Sequence, residues 1–361
     1  MALAICVLSF YLRLRTGAFG YDFRGSLWQA GRDILAGHSP YPPASASELV
    51  QRGNAFVYPP LAALVSLPLA PLPQMVAAII WSVVNVAALA AALRLVGCRD
   101  WRCFVLCLAS LPFLGTMFLG QLNGLLALAI AAAWHYRRRA WICGAVIGAA
   151  IALKLLIWPL FAWLLFSRRF KGALVCLVAT TTLLLGSWAV IGFDGLGTYP
   201  HLLRADADAF QNRSYSIVSM ALHAGLSETA GRFAAVLALL GLLAIVWRET
   251  KATTGYELFP FAAALLAGVI ASPVLHEHYL ILLFVPLAAA RPTAGWRWLL
   301  PLGFWISPVE DRMHLWQIVS VLVLTGLLVL SLRGGPAGAG RSAPRYHGRE
   351  TKRPNRPSVA T

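Results

Sequence analysis

Charged residues are scarce in this chain of 361 residues. Asp, Glu, Lys and Arg together make up 12% of it, and only 14 residues are acidic, whereas soluble domains are about 25% charged. With 59% hydrophobic residues, a soluble globule of this length could not bury its apolar surface, which excludes a cytosolic enzyme and a disordered protein. The six cysteines include no CxxC pair and predict neither a disulfide framework nor a zinc site.

Apolar runs of nearly membrane-spanning length are abundant and recur along most of the sequence. They lack the strict alternation of a transmembrane β-strand, so they predict an all-α integral membrane protein. We expect residues 1–332 to form one transmembrane domain. The segment 333–361 is rich in Gly, Pro, Ser and Arg and is predicted to be a disordered basic cytoplasmic tail.

Clusters of basic residues determine the predicted topology, because short basic loops stay in the cytoplasm. The clusters are Arg94/Arg99/Arg102, Arg137/Arg138/Arg139, Arg168/Arg169/Lys171, Arg248/Lys251, Arg291/Arg297 and the arginines and lysine after Leu332. Placing all of them inside gives about twelve crossings of the plasma membrane, with both termini cytoplasmic. The net charge of +16 then indicates contact with anionic lipid headgroups rather than with nucleic acid.

The shortest segment between two basic clusters is the most informative one. Only 28 residues, 140–167, separate Arg139 from Arg168, and they must cross outward and return. Each leg would be about 20 Å long, shorter than the hydrocarbon core of about 30 Å. The tip of this hairpin lies near Lys154, where an ammonium costs ~2.5–3.5 kcal/mol on insertion scales. We therefore expect a hydrated cavity on the non-cytoplasmic side, with the Lys154 ammonium at its floor.

One carboxylate on the predicted outer face stands out. Asp22 follows the first apolar run closely and is flanked by aromatic residues. It is either paired with Arg24 or Arg32, or it is a base near apolar surface. Residues 24–36 carry small and apolar side chains at helical spacing and are predicted to form a short interfacial helix.

Other polar residues lie at the predicted outer turns, and each has two interpretations. Lys154 either binds a phosphate or extends its amine to the interface. His278 either donates to a phosphate or sugar or is an interfacial histidine. Gln121 and Asn123 either hold sugar or phosphate oxygens or cap a helix at a tight turn. His276 and His278 alone do not make a metal site, so we expect no metal and no cofactor.

Five segments in order resemble glycosyltransferase family 87, a family of C-type glycosyltransferases. They are DFRGSLWQAGRDILAGHSPYP (22–42), FVYPPLAALVSLPLAPLP (56–73), LGQLNGLLALAI (119–130), GAVIGAAIALKLLIWPLF (144–161) and ASPVLHEHYLILL (271–283). The resemblance implies a C-type bundle of about twelve transmembrane helices with short interfacial helices on the non-cytoplasmic side. It departs at 275–277, where Leu-His-Glu replaces the more usual Ser-Trp-Asp.

The resemblance also implies a reaction. In such enzymes an Asp at the end of the first span is the catalytic base, and that position is Asp22. The donor is a polyprenyl phosphosugar, here expected to carry mannose, and a single displacement inverts the anomeric carbon. Asn212 and Arg213 match the family's NxS segment, so Asn212 is expected to contact the sugar and Arg213 the phosphate. The acceptor would be a glycolipid or lipoglycan of the cell envelope.

A transporter or flippase for a polyprenyl-linked sugar remains the alternative interpretation, since it needs the same amphipathic cavity. The two functions differ in whether a base points into that cavity near the donor phosphate. Membrane lipids are expected partners in both cases.

Overall fold

The computed structural model describes residues 8, 11–13, 15–41, 55–252, 257–307 and 313–333, and within these ranges all regular secondary structure is helical. The α-helices are Gln29–Leu35, Pro60–Ser66, Gln74–Leu95, Trp101–Leu108, Leu111–Leu119, Asn123–His135, Ala140–Leu153, Pro159–Phe166, Phe170–Val190, Tyr199–Phe210, Ile217–His223, Glu228–Lys251, Leu258–Ala271, Phe284–Ala290, Leu300–Gly303 and Leu315–Leu330. Short π- or 3-10 segments are Phe23–Trp28, Leu67–Leu69, Leu155–Ile157, Gln211–Arg213, Glu277–Leu283, Trp296–Leu299 and Phe304–Ile306.

Several of these helices have the length and composition of membrane spans. Three qualify in the described part of the chain, namely Gln74–Leu95, Phe170–Val190 and Glu228–Lys251. The pair Trp101–Leu108 and Leu111–Leu119 makes a fourth if its 65° bend lies within one span. The helices support a membrane protein, whereas the number of crossings and their orientation stay predictions. The predicted turn at 310–312 and the tail beyond residue 333 lie outside the described residues.

Contacts between distant loops gather basic segments at one end of the bundle. Arg137 and Arg169 both pair with Glu257, at 3.2 and 2.8 Å, and Arg333 pairs with Glu249 at 2.7 Å. Other loops join this end through His135, whose Nδ1 lies 3.1 Å from the Leu95 carbonyl oxygen, and through Asp100. We call this the basic end and the opposite end, which carries Asp22 and Lys154, the polar end.

Asp100 links two of the loops at the basic end. Its carboxylate accepts from the Ala294 amide at 2.9 Å and pairs with Arg102 at 2.9 Å. These hydrogen bonds from Arg102 and Ala294 hold the pKa of Asp100 well below its usual range. The carboxylate therefore stays charged at neutral pH and connects the 97–100 loop to the 291–295 loop.

The segment 140–166 forms the predicted hairpin. Helices Ala140–Leu153 and Phe170–Val190 run in parallel, because Gly144 meets Gly172 and, one turn on, Gly148 meets Cys176. The chain between them must therefore reverse, and Lys154 lies at the reversal. We call residues 140–166 the lysine hairpin.

Glycines let the lysine hairpin pack directly against the backbone of the next helix. A Cβ at Gly144 would lie 2.2 Å from the Gly172 carbonyl oxygen, and one at Gly148 would lie 2.7 Å from that of Cys176. Small residues spaced by four are the usual means of close helix contact in membranes. This packing fixes the height at which the hairpin presents Lys154.

We expect Gly144→Ala to destabilise the protein by about 1–3 kcal/mol, because the added methyl group overlaps a backbone carbonyl. The matched control is Gly186→Ala in helix Phe170–Val190, where a Cβ would meet nothing within 4 Å. Thermal unfolding in detergent should show a lower melting temperature for Gly144→Ala only. Equal melting temperatures for the two variants would contradict the close packing.

Candidate active site

The turn after helix Leu111–Leu119 brings a glutamine to Asp22. Gly120 ends that helix with φ +76°, and a Cβ there would lie 2.5 Å from the Cβ of Phe23, so only glycine allows the close approach. The Gln121 amide nitrogen donates to Asp22 Oδ2. The Tyr58 hydroxyl donates to Gln121 Oε1 at 2.5 Å. Gln121 is therefore held between the carboxylate and the tyrosine.

The two arginines considered as partners of Asp22 make other contacts. Arg24 Nη2 donates to the Gly17 carbonyl oxygen at 2.5 Å, and the Arg32 guanidinium lies over the Trp28 ring, 5.3 Å from its centroid. Residues 24–36 are helical as predicted, in the segments Phe23–Trp28 and Gln29–Leu35, and their location at the membrane interface stays a prediction. Asp22 is half-buried at its start.

Lys154 points into the protein beneath two tyrosine rings. Its backbone is extended, with φ −152° and ψ 113°, and its side chain is 8% exposed. Nζ lies 3.7 Å from the ring centroid of Tyr279 and 5.3 Å from that of Tyr58. No described residue accepts a hydrogen bond from it.

The expectation of an open cavity with Lys154 at its floor is wrong for this structure, because Tyr58 and Tyr279 lie over the ammonium. A cavity of about 440 Å³ lies instead at the basic end, and its lining includes Trp101, Val105 and Leu299. That cavity is mostly apolar and is remote from the predicted site residues. The ring faces offset part of the cost of burying the ammonium, by about 0.5–2 kcal/mol each.

Asn123 holds the backbone of His278. Its Nδ2 donates to the His278 carbonyl oxygen at 2.8 Å, so the amide nitrogen contacts a peptide group and is not turned to a substrate. The His278 ring is 2% exposed and meets the Tyr279 ring edge-on, with centroids 4.7 Å apart. Tyr279 thus lies between Lys154 and His278.

Asp206 also lies in the site. Burial raises its pKa to about 6, against the lowering effect of the Lys154 ammonium and with a further rise from Asp22. The three charges therefore lie within electrostatic range of one another. The sequence contains one sign that Asp206 faces the protein interior. It lies four residues after Leu202, on the helix face that also carries Ala205 and Ala209.

Helix Tyr199–Phe210 carries Asp206 and is anchored at both ends. Near its start, the Tyr199 hydroxyl donates to the Val57 carbonyl oxygen at 3.0 Å. At its end, Phe210 packs edge-on against His276, with centroids 6.4 Å apart. These contacts hold one end of the helix beside Val57 and the other end beside His276.

Asn212 and Arg213 lie on the short turn after that helix, and both are exposed. The next two residues attach this turn to the histidine segment. Ser214 Oγ accepts from the Leu275 amide at 2.8 Å, and the Tyr215 amide donates to the Leu275 carbonyl at 2.8 Å. The structure thus places the predicted pair at the rim of the site rather than in contact with Lys154.

Comparisons with known proteins identify the family to which the chain belongs. The model of glycosyltransferase family 87 matches residues 56–276. Two curated relatives are both named polyprenol-phosphate-mannose-dependent alpha-(1-2)-phosphatidylinositol pentamannoside mannosyltransferase. The protein from Mycolicibacterium smegmatis is 31% identical over 274 residues, which cover 68% of this chain and 65% of that protein. The protein from Mycobacterium tuberculosis is 30% identical over 305 residues, covering 78% of this chain and 64% of that protein.

The chain belongs to glycosyltransferase family 87. It spans about two thirds of the length of the curated relatives that it matches, 65% and 64%. No solved structure matches it.

We expect Lys154→Met to raise the pKa of Asp206 above about 6, because the ammonium now lowers it. Isotope-edited infrared spectroscopy of the carboxyl band, titrated from pH 4 to 9, would measure the change. The Asp206→Asn variant assigns the band. An unchanged midpoint in Lys154→Met would show that the two groups do not interact.

Proposed function

We propose that this protein is a membrane glycosyltransferase that moves a sugar, most simply mannose, from a polyprenyl phosphosugar to an envelope glycolipid or lipoglycan. The observation that supports it is the convergence of Asp22, Lys154 and His278 at the polar end through Gln121 and the tyrosines. The names of the two relatives, which specify polyprenol-phosphate-mannose and a phosphatidylinositol mannoside, point to the same donor and to a lipid-linked acceptor.

Asp22 is the proposed general base. It would take the proton of the acceptor hydroxyl as that oxygen attacks the anomeric carbon, and the bond to the phosphate would break on the opposite face. A single displacement inverts the configuration, so a β-linked donor yields an α-linked product. The hydrogen bond from Gln121 orients the carboxylate, which would accept the hydroxyl proton as a general base.

Lys154 and His278 are the proposed partners of the leaving phosphate. A buried ammonium without a hydrogen-bond acceptor is costly and gains most from an anion that enters the site. Gln121 then orients Asp22, and Asn123 holds the backbone of His278. Asn212 and Arg213 lie at the rim, where Asn212 can meet the sugar and Arg213 the phosphate as the donor enters.

The proposed setting is the plasma membrane, with residues 1–332 forming about twelve crossings and the polar end on the non-cytoplasmic side. The gathering of basic segments at the opposite end supports this orientation. Both termini would then be cytoplasmic, with 333–361 as a basic tail. A polyprenyl donor dissolved in the bilayer would reach the site at headgroup depth.

We expect Asp22→Asn to lower the rate of sugar transfer by about 10²–10⁴-fold, because an amide cannot take the hydroxyl proton. Transfer from polyprenyl phosphomannose to a phosphatidylinositol mannoside extract would be measured with purified protein in detergent. Asp33→Asn is the matched control, since Asp33 lies on the same segment and accepts a hydrogen bond from Gln29 at 2.8 Å. Full activity of Asp22→Asn would reject Asp22 as the base.

The same assay separates transfer from transport. In sealed vesicles, a flippase would move the intact donor across the bilayer and form no new glycosidic bond. That outcome would replace the proposed function with the alternative.

We expect Lys154→Met to raise the KM for the donor by about 10–100-fold, since it removes the buried charge that faces the phosphate. The KM for the acceptor should change much less. Lys171→Met, an exposed residue at the basic end, is the control for loss of one positive charge. Unchanged donor KM in Lys154→Met would exclude a phosphate contact.

A further inference from the structure

Glu277 is a buried carboxylate that the proposed reaction does not use. Its side chain is 9% exposed, and its Oε1 lies 3.9 Å from His278 Nδ1. Oε2 has no hydrogen-bond partner among the described residues. A carboxylate in an apolar bundle is costly unless it is paired, so its place beside a histidine requires an explanation.

A glycine on the neighbouring helix makes room for this carboxylate. A Cβ at Gly115 would lie 2.7 Å from Glu277 Oε1 and 3.2 Å from the His278 Cβ. Any larger residue at 115 would therefore displace the carboxylate from the histidine. The longer side chain of Glu277, where the family more usually has Asp, extends into the space that Gly115 leaves open.

The imidazole of His278 is fixed on its other sides. Asn123 holds its backbone carbonyl, the His276 ring stacks on it with centroids 5.4 Å apart, and Tyr279 meets it edge-on. Neither ring nitrogen has a hydrogen-bond partner within the described ranges. With Nδ1 directed to the Glu277 side, Nε2 is the nitrogen left for a ligand.

We propose that Glu277 is a positioning residue: when the donor binds, its carboxylate closes the 3.9 Å gap to His278 Nδ1 and accepts a hydrogen bond from it, so that Nε2 donates to the donor phosphate. This inference rests on the proposed function. Both nitrogens of an imidazole donate only when it is protonated. His278 therefore takes up one proton from solvent when the donor phosphate binds. Apart from this proton transfer, no covalent bond is formed or broken in the step.

The surrounding charges explain why protonation would wait for the donor. Burial of the His278 ring opposes a positive charge on it, the Lys154 ammonium opposes it further, and the neighbouring His276 and Tyr279 rings supply no negative charge. Burial of Glu277 disfavours its charged form, whereas the Arg13 guanidinium within electrostatic range favours it. Glu277 contributes one negative charge and the entering phosphate another. A carboxylate that orients a histidine and stabilises its imidazolium in this way is a common arrangement in enzymes.

The test is the pH dependence of donor binding. A phosphodiester such as polyprenyl phosphomannose has no second ionisation, so changes in its Kd between pH 5.5 and 8.5 report protein groups. In the wild type we expect the Kd to rise with pH, by up to tenfold per unit for one bound proton. Asp206→Asn and Lys154→Met remove the contributions of the two other buried groups at the site that titrate in this range, and each variant should keep most of the slope.

Glu277→Gln should weaken donor binding about tenfold at pH 6 and flatten the pH dependence, while Glu277→Asp should retain the slope. Equal Kd values and slopes in Glu277→Gln and wild type would overturn the inference. A structural role alone would lower thermal stability without changing the slope. If the wild type does not bind polyprenyl phosphomannose at all, the proposed function fails rather than this inference.

A second measurement does not depend on the Glu277 variants. Isothermal titration of the wild-type protein with polyprenyl phosphomannose, at pH 7.5 in two buffers of different ionisation enthalpy, counts protons taken up on binding. We expect uptake of about one proton per donor in the wild type and in Lys154→Met, so that Lys154 is not the group that gains it. Binding without proton uptake would overturn the inference even if Glu277→Gln does not fold.

Discussion

Burial of a single ammonium constrains the polar end of this protein. Lys154 interrupts a helix inside an apolar bundle, and a cation there requires polar surroundings. The surroundings are assembled from distant segments: the rings of Tyr58 and Tyr279, and the carboxylates Asp22 and Asp206 within electrostatic range. Each of these segments must fold before the charge is tolerated, so site and fold are coupled.

Much of this arrangement follows from simple rules applied to the sequence. The short distance between two basic clusters predicted the lysine hairpin, because a chain that must return to the same side in 28 residues has to turn at Lys154. The polar turn that carries Gln121 and Asn123 was predicted in the same way. These features depend on local chemistry and chain length, which a sequence carries directly.

Features that depend on contacts between distant segments were not predictable in the same way. Asp206 did not stand out among the acidic residues of the sequence, and the contacts of its helix with Val57 and His276 accompany its position within electrostatic range of Lys154. Asn123 was expected at the substrate but holds the peptide group of His278. The tyrosines over Lys154 close the expected opening, because an aromatic ring can take the place of water around an ammonium.

Ion pairs hold together the two chain segments that flank the lysine hairpin at the basic end. Arg137 and Arg169 share Glu257, and Arg169 also donates to the Arg137 carbonyl, while glycines press the outgoing leg against its neighbour. Moving helix Ala140–Leu153 outward would break both the Glu257 ion pairs and the glycine contacts with helix Phe170–Val190. Rotation of the Tyr58 and Tyr279 rings at the opposite end breaks neither set of contacts. In the proposed reaction the donor would therefore enter by rotation of side chains rather than by displacement of helices, which is a faster class of motion.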